Sequence, residues 1–252
     1  MTQDGQTLYA GEHVRAVLRN PGREVLIVSF DHWRKTRQGF PAWQPSATVA
    51  ERGFSELVVV SSRNDWFLSP ELAGLRRALD LHCGQYRAVR CLAFSMGGYG
   101  ALLLSRALHL RRAVLVSPQW SVFPEKPPHD RRFWQDAAML DAGLGDLTGQ
   151  LAPRLRGVVL FDPAESRIDA DHAEIIAANA PRIAKLALPF GGHPATQHLV
   201  QTGQYRFLRD LALGGKTDPR HYHQLHVAAR RTSPGYRAKL QDYLNRRAAR
   251  HS

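Results

Sequence analysis

The chain has 252 residues, of which 44% are hydrophobic and 22% are charged. This balance excludes a disordered chain, which combines low hydrophobicity with high charge, and the length suits one α/β domain with a single sizeable core. The 34 Lys and Arg residues outnumber the 22 Asp and Glu residues, giving a formal net charge of +12. Such a charge favours an anionic partner but does not indicate a reaction.

The sequence shows no signal of export, membrane insertion or redox chemistry. The N-terminus has no basic start followed by an apolar run, and no stretch approaches the roughly 18 apolar residues of a membrane-spanning helix. Cys83 and Cys91 have the spacing of neither a metal pair nor a redox motif, so we expect inert, buried thiols. These features predict a cytoplasmic protein without a membrane span, and we expect no metal or other cofactor.

Short apolar runs rich in β-branched residues recur along the chain, and none alternates cleanly between polar and apolar residues. Continuous runs of this length are typical of strands that are buried on both faces, as in a parallel sheet covered by helices. The runs are at residues 24–30, 57–62, 90–95, 113–118, 157–163 and 184–190.

Helical patterns separate these runs. Residues 69–82 begin with Ser69 as a cap and Pro70 in the first turn, and their leucines recur at helical spacing. A later pattern begins with Asp169 as a cap and stops before Pro181. The alternation predicts an α/β fold, a three-layer α/β/α sandwich around a mostly parallel, doubly wound sheet.

Two longer segments, 31–50 and 118–136, combine aromatic, basic and proline residues. Both follow the carboxyl ends of predicted strands, the edge at which open α/β sheets bind their ligands. Aromatic faces there suit a sugar ring or an acyl chain, although tryptophans can equally cover the top of a core. The candidate substrate-binding residues are Trp33, Arg34, Trp66 and Trp120.

Basic side chains of the same two segments are expected to surround the mouth of the site. Arginine forks match carboxylates and phosphates, so this expectation predicts an anionic small molecule or glycan as substrate. No aromatic or glycine-rich nucleic-acid motif accompanies the charge, so a nucleic-acid partner is not expected. The basic residues are Arg34, Lys35, Arg37, Lys126, Arg131 and Arg132.

The stretch CLAFSMGGYGALLL, residues 91–104, runs from a predicted strand through Ser95 into a predicted helix with almost no loop. So sharp a turn requires small neighbours, which Gly97 and Gly98 supply. The turn lifts the serine hydroxyl above the sheet and close to a helix N-terminus, whose N–H groups can stabilise an oxyanion. These features favour Ser95 as a nucleophile over an inert turn residue.

The segment AFSMGGYGAL resembles the nucleophile elbow of the α/β-hydrolase superfamily in its Ser-Met-Gly-Gly form, with Ala93 where the usual leading glycine stands. In that superfamily the acid and the histidine follow the nucleophile along the chain. The resemblance implies an oxyanion hole built from the N–H of Met96 and an N–H near Asp31, in the loop after the first strong strand.

The resemblance also indicates a base. In LALPFGGHPATQHL, residues 186–199, His193 lies behind two glycines and beyond the last predicted strand, which resembles the superfamily's Gly-His signature. The other histidines, including His221, His223 and His226, are expected at the surface or against a partner. No carboxylate or cysteine near that cluster completes a metal site.

Three carboxylates are candidates for the acid that orients His193, and the choice stays open. Superfamily spacing points to Glu165. The chain also resembles a group of little-characterised bacterial hydrolase-like proteins, often associated with surface polysaccharides, which favours Asp169 and Asp162. Their pattern of Asp-Pro followed by Asp and His-Ala matches Asp162, Pro163, Asp169, His172 and Ala173.

We expect a hydrolase-like core over residues 1–203 and a basic C-terminal helical extension over residues 204–252, packed on the same domain. The resemblance implies an esterase-like serine hydrolase in which Ser95 forms an acyl-enzyme, acting on an acylated or anionic glycan-type substrate. An acyltransferase of the same fold and a non-catalytic protein that binds an acidic polymer are the alternatives.

Overall fold

Eight strands form one sheet at the centre of the computed structural model, which describes residues 5–249. Across the sheet their order is β1-β2-β4-β3-β5-β6-β7-β8. Strand β2 pairs antiparallel with β1 and β4, whereas β3 to β8 are parallel to one another. The strands are β1 (Gln6–Ala10), β2 (Val14–Arg19), β3 (Val25–Phe30), β4 (Ser55–Ser61), β5 (Ala88–Phe94), β6 (Arg112–Val116), β7 (Arg156–Phe161) and β8 (Ile183–Ala187).

Helices cover both faces of this sheet, which confirms the predicted α/β sandwich with a mostly parallel sheet. Among the described residues, none of these helices is long and apolar enough to cross a membrane. They are α1 (Ala47–Glu51), α2 (Leu72–Cys83), α3 (Ser95–Leu103), α4 (Trp134–Ala137), α5 (Arg167–Asn179), α6 (Gln197–Gln201), α7 (Tyr205–Leu213), α8 (Pro219–Arg230) and α9 (Pro234–Ala248).

Strand β6 shows why the sequence contains continuous apolar runs. Its residues Ala113 and Leu115 belong to the core cluster on one face of the sheet, which α2, α3 and α5 also form. Its residues Val114 and Val116 belong to a second cluster on the other face, together with residues of α7 and α8. Because both faces are covered, both sets of side chains must be apolar.

Strands β1 and β2 lie at the antiparallel edge of the sheet and were not predicted. Their side chains are largely exposed in β1 and alternate between buried and less buried in β2. Such strands lack the continuous apolar run by which the interior strands were recognised, because one of their faces meets solvent.

Two predicted helix caps are wrong. Helix α2 begins at Leu72 with Glu71 at the cap position, so Ser69 lies before it. Helix α5 begins at Arg167, which puts Asp169 inside the first turn. In that position the Asp169 side chain is free to bond outside its own helix.

The C-terminal helices pack on the sheet through apolar side chains of α7 and α8, including Leu208 and Tyr222. Two arginines from the amino ends of neighbouring strands also bond to this region. Arg112 Nη1 donates to the carbonyl of Gly215 at 2.8 Å, and Arg90 Nη1 donates to the carbonyl of Leu213. The bond from Arg90 satisfies the carbonyl of Leu213, the last residue of α7, for which the helix itself supplies no N–H donor.

Candidate active site

The chain turns sharply from β5 into α3 at Ser95, which has a φ of 46°. A positive φ at a non-glycine residue costs about 1–3 kcal/mol and persists only where the surroundings impose it. A Cβ atom at Gly97 would lie 2.7 Å from the carbonyl oxygen of Asp31, and one at Gly98 would lie 2.7 Å from Cβ of Pro118. The packing around this turn therefore requires both glycines, as the sequence predicts.

Ser95, His193 and Asp169 form one chain of hydrogen bonds. Ser95 Oγ lies 3.1 Å from His193 Nε2, and His193 Nδ1 lies 2.7 Å from Asp169 Oδ2. The side chain of Asp169 is fully buried, whereas that of His193 is 28% exposed. This arrangement allows the imidazole to take the serine proton while the carboxylate stabilises the imidazolium that results.

Arg132 shares the carboxylate of Asp169, to which its Nη1 donates at 2.8 Å. Burial alone would raise the pKa of Asp169, but the hydrogen bond and charge of His193 and the charge of Arg132 outweigh it. The pKa of Asp169 therefore lies below its ordinary value, and the carboxylate stays ionised at neutral pH.

Asp130 and His172 hold Arg132 in place. Arg132 Nη2 donates to Asp130 Oδ2 at 2.7 Å, and His172 Nε2 lies 3.0 Å from the same oxygen. His172 Nδ1 accepts the backbone N–H of Trp120 at 2.9 Å, so Nε2 carries the proton and donates to Asp130. Burial lowers the pKa of His172, which keeps the ring neutral. Sequence reasoning missed this network, in which His172 lies one helical turn beyond the carboxylate that contacts His193.

Asp162 accepts backbone N–H groups instead of binding the imidazole of His193. Its Oδ1 accepts from Ala164 at 2.8 Å and from Phe190 at 3.1 Å, and its Oδ2 accepts from Gly192 at 2.8 Å. Among residues 5–249, the structure brings Asp169 to the imidazole and leaves Asp162 in these loops. Asp162 thus joins the loop after β7 to the loop that carries the imidazole.

Helix α9 stabilises the same loop from the other side. Lys239 Nζ pairs with Glu165 at 2.7 Å, so the third candidate acid bonds to α9 and not to His193. The ring of Tyr236 packs edge-on against Phe190, with 5.7 Å between the ring centroids. The basic C-terminal extension therefore contributes to the position of the imidazole.

The backbone N–H of Asp31 is occupied within the sheet, where it donates to the carbonyl of Val59 at 3.1 Å. The next N–H, of His32, donates to the Asp31 carboxylate at 2.8 Å, and Arg37 pairs with that carboxylate. The expected role of Asp31 as an oxyanion donor therefore does not fit the structure. Met96 lies in the first turn of α3, where backbone N–H groups lack acceptors within the helix.

A cavity of about 520 Å³ opens beside Ser95 and His193. Its wall is mainly aromatic, and no Lys or Arg of the described chain lines it. Such a wall suits an apolar acyl group or the face of a sugar ring. The lining residues are Phe30, His32, Trp33, Phe94, Ser95, Phe133, His193 and Pro194.

Of the four candidate substrate-binding residues, Trp33 alone lines this cavity. Trp66 and Trp120 are 0% and 9% exposed and belong to the core. Arg34 Nη2 lies 3.4 Å from Asp31 Oδ1 and outside the cavity lining. Two of the four candidate substrate-binding residues are therefore tryptophans of the core. The residues that line the cavity do not form the basic mouth that the sequence predicts.

Several of the other basic side chains expected at the mouth bind groups of the protein itself. Arg37 pairs with Asp31 and is 7% exposed, and Arg132 pairs with Asp130 and Asp169. Lys126 Nζ donates to the carbonyl of Ala142. Their charge therefore mainly stabilises the two inserted segments and contributes less to attracting a ligand.

Gln119, which sequence reasoning missed, contacts the hydroxyl of Ser95. Its Nε2 donates to Ser95 Oγ at 3.0 Å, and its Oε1 accepts the indole N–H of Trp66 at 3.2 Å. Gln119 is fully buried and follows β6. The only signal in the sequence was its place in a segment leaving the carboxyl end of a strand.

No protein-family model matches the sequence, and neither does any curated protein. Solved structures do match. The capsule O-acetyltransferase of Neisseria meningitidis serogroup A superposes with a TM-score of 0.55 at 12% identity, over 82% of this chain and 93% of that one. A mutant of that enzyme in complex with CoA gives a TM-score of 0.53 at 12% identity, over 79% and 93% of the two chains.

A chain of the Glycosylation Associate Protein complex from Streptococcus agalactiae gives a TM-score of 0.51 at 15% identity, over 84% of this chain and 47% of that one. At such identities the likeness shows the fold alone. Together with the sheet order, it confirms the α/β-hydrolase-like fold that the sequence predicts.

His198 and His226 form a second histidine pair, next to the loop that carries His193. His198 Nε2 lies 2.8 Å from His226 Nδ1, and burial lowers the pKa of each ring to about 4. The expectation that His226 lies at the surface is wrong, because α8 packs against α6 and buries it.

This pair predicts a loss of stability in mild acid. In the unfolded chain a histidine binds a proton below about pH 6.5, whereas the folded pair resists protonation down to about pH 4. Unfolding therefore takes up protons in this window, and the free energy of unfolding falls as the pH drops from about 6.5 to 4. Urea unfolding at several pH values should show a shallower fall in His226→Gln than in the unsubstituted chain, and equal slopes would contradict this.

Proposed function

We propose that this protein is a serine esterase of the α/β-hydrolase type, in which Ser95 is transiently acylated. The observation that carries the proposal is the unbroken hydrogen-bonded chain from Ser95 through His193 to the buried Asp169, at the edge of an open cavity. A protein that only binds an acidic polymer has no need of this chain, which costs backbone strain at Ser95 and burial of a carboxylate.

The reaction proceeds in two steps. Ser95 Oγ attacks the acyl carbon of an ester and passes its proton to His193 Nε2, while the carbonyl electron pair moves to oxygen and is stabilised by the N–H of Met96. The tetrahedral intermediate collapses, and the leaving alkoxide takes the proton from His193. Water then repeats the sequence on the acyl-enzyme, giving its proton to His193 and releasing the acid and the free serine.

The aromatic wall of the cavity supports an uncharged acyl group or a sugar ring as the part of the substrate bound there. Lys and Arg are missing from the part of the lining that the structure describes, so an anionic group of the substrate would have to bind outside this cavity. Trp33 is the lining residue best suited to stack on a sugar, since its indole N–H already donates to Asp136 at 2.9 Å and fixes the ring.

A fluorophosphonate probe tests the nucleophile. The unsubstituted chain and Ser121→Ala, a buried serine whose Oγ accepts the N–H of Phe123, should both be labelled. Ser95→Ala should lose labelling entirely, because the attacking oxygen is gone. Labelling of Ser95→Ala at the rate of the unsubstituted chain, or no labelling of the unsubstituted chain, would contradict the proposal.

Two aspartate variants separate the proposed acid from the loop-holding carboxylate. Asp169→Asn should slow labelling by roughly 10³- to 10⁴-fold, because it loses the charge that stabilises the imidazolium, and it should also lower the melting temperature, because Arg132 loses one of its two carboxylate partners. Asp162→Asn should lower the melting temperature and slow labelling much less, since its carboxylate holds backbone N–H groups. A larger loss of labelling in Asp162→Asn than in Asp169→Asn would reverse the assignment.

A second candidate function, O-acyl transfer to a sugar hydroxyl, is favoured by the likeness to a capsule O-acetyltransferase. The acyl-enzyme is the same, and the functions differ in whether water or a hydroxyl group resolves it. Acetyl-CoA and p-nitrophenyl acetate should be compared as donors with and without an added saccharide. An esterase releases product at the same rate in both cases, whereas a transferase is accelerated by the saccharide and forms an acetylated sugar.

A further inference from the structure

The side chain of Gln119 lies next to the attacking oxygen of Ser95. Its side-chain amide lies between the hydroxyl of Ser95 and the indole of Trp66, within hydrogen-bond distance of both. The three side chains are almost completely buried, with exposed fractions of 8% for Ser95 and 0% for the other two. In such surroundings the direction of each hydrogen bond matters, because water cannot replace a missing partner.

The indole fixes which way the amide faces. An indole nitrogen can only donate, so the atom of Gln119 that contacts Trp66 must be the carbonyl oxygen. The amide nitrogen therefore faces Ser95 and donates to Oγ. Trp66 itself is held with a φ of 49° and is followed by Phe67 with a φ of 62°, which is a strained backbone next to a functional site.

The donor fixes the serine proton in turn. Because Oγ accepts the N–H of Gln119, its own proton is directed to the remaining partner, His193 Nε2. Proton transfer to His193 leaves negative charge on Oγ, and the same N–H stabilises that charge during the attack. In deacylation Oγ is the leaving atom, so the N–H acts there as well.

We propose that Gln119, oriented by Trp66, is a catalytic residue that directs the Ser95 proton to His193 and stabilises the charge on Oγ. This inference rests on the proposed acyl-enzyme reaction. It assigns no change in bonding to Gln119, which keeps all its atoms and protons throughout. Its effect is on the rate at which Ser95 forms and breaks its bond to the acyl group.

Substitutions with the same shape but different hydrogen bonding test this role. Gln119→Met keeps the volume and removes the donor, so it should slow fluorophosphonate labelling by about 10- to 100-fold, the loss of one such hydrogen bond. Gln119→Glu keeps the acceptor for Trp66 but presents a carboxylate to Ser95, which takes the serine proton away from His193. It should therefore label more slowly than Gln119→Met, although its shape is nearest to that of the native residue.

A purely structural role makes the opposite prediction, since Gln119→Glu retains the bond to Trp66 and should then label faster than Gln119→Met. Gln85→Met, which removes an amide that donates to the carbonyl of His82 outside the candidate active site, serves as the matched control and should label normally. Melting temperatures show that each variant is folded, and Trp66→Phe should label at a rate between those of the native chain and Gln119→Met.

Labelling of both Gln119 variants at the native rate would overturn this inference and leave the proposed function standing, whereas an unlabelled native chain would overturn both.

A second candidate site lies at the end of the sheet where the parallel strands begin. Two adjoining cavities of about 440 and 340 Å³ lie beside α2 and make up a cleft, with Asp80 and Arg106 in the walls of both. Strands β6 and β7 begin next to it, at Arg112 and Arg156, whereas Ser95 follows the carboxyl end of β5. The cleft and the candidate active site therefore lie at opposite ends of the parallel strands.

Positive charge dominates this cleft, which we name the arginine cleft. Within residues 5–249, the one carboxylate in its lining, Asp80, lies 2.8 Å from His109 Nε2. Arg76 is partly buried, and among residues 5–249 it donates only to uncharged groups, the carbonyl of Leu103 at 3.3 Å and the side chain of Gln150 at 2.8 Å. The arginines of the cleft are Arg76, Arg77, Arg106, Arg111 and Arg154.

We infer that the arginine cleft binds a multivalent anion that carries phosphate groups. Guanidinium forks bind phosphate oxygens in pairs, and a partly buried guanidinium without a carboxylate gains more from an anion than an exposed one does. The cleft is large enough for several phosphate groups. This site goes beyond the proposed reaction, because its ligand would not reach Ser95.

Calorimetric titration with inorganic tripolyphosphate tests the inference. The native chain should bind it, and the double variant Arg76→Gln/Arg77→Gln should bind at least 10-fold more weakly. The double variant Arg23→Gln/Arg63→Gln, which removes the same charge from exposed positions outside the cleft, should bind like the native chain. Equal weakening in both double variants would show attraction by net charge alone and overturn the inference, as would the absence of binding to the native chain.

Discussion

The buried charge of Asp169 is the constraint on which the candidate site depends. A carboxylate without water costs several kcal/mol unless charged or hydrogen-bonding partners surround it, and here His193 and Arg132 occupy its two oxygens. Arg132 in turn requires Asp130, which requires His172. The imidazole of His193 is therefore one end of a network whose two carboxylates, Asp130 and Asp169, are buried.

This network explains the segment between β6 and β7 better than ligand binding does. The Pro- and Trp-containing insertion supplies Asp130 and Arg132 to the carboxylate, and its backbone at Trp120 fixes the tautomer of His172. The same segment supplies Gln119 to the hydroxyl of Ser95. Residues that resemble a substrate mouth in the sequence thus form much of the support for the reacting groups.

The sequence predicts the interior strands, the sharp turn at Ser95 and the loop of His193, because each depends on residues adjacent in the chain. Buried strands need continuous apolar runs, and the turn needs Gly97 and Gly98. Strands β1 and β2 cannot be predicted in this way, because β1 is largely exposed and alternate side chains of β2 are less buried. The choice between Asp162 and Asp169 escapes it too, since both follow β7 and their roles differ only in which distant groups they reach.

Long-range pairing also decides the fate of the charged residues. In the sequence, Arg37 and Arg132 cannot be told apart from cations that face a ligand. In the structure, each is paired with a buried carboxylate. Trp66 looks like a stacking platform, yet its indole N–H orients Gln119 from within the core. Such assignments require the distances between segments, which no local pattern supplies.

Attack by Ser95, with transfer of its proton to His193, can be tested by a crystal structure of the chain after reaction with a fluorophosphonate. In that structure a phosphorus atom should be bonded to Ser95 Oγ, one phosphoryl oxygen should accept the N–H of Met96, and His193 should remain bonded to Asp169. An adduct on any other residue, or an imidazole displaced from Asp169 with Ser95 unmodified, would contradict it.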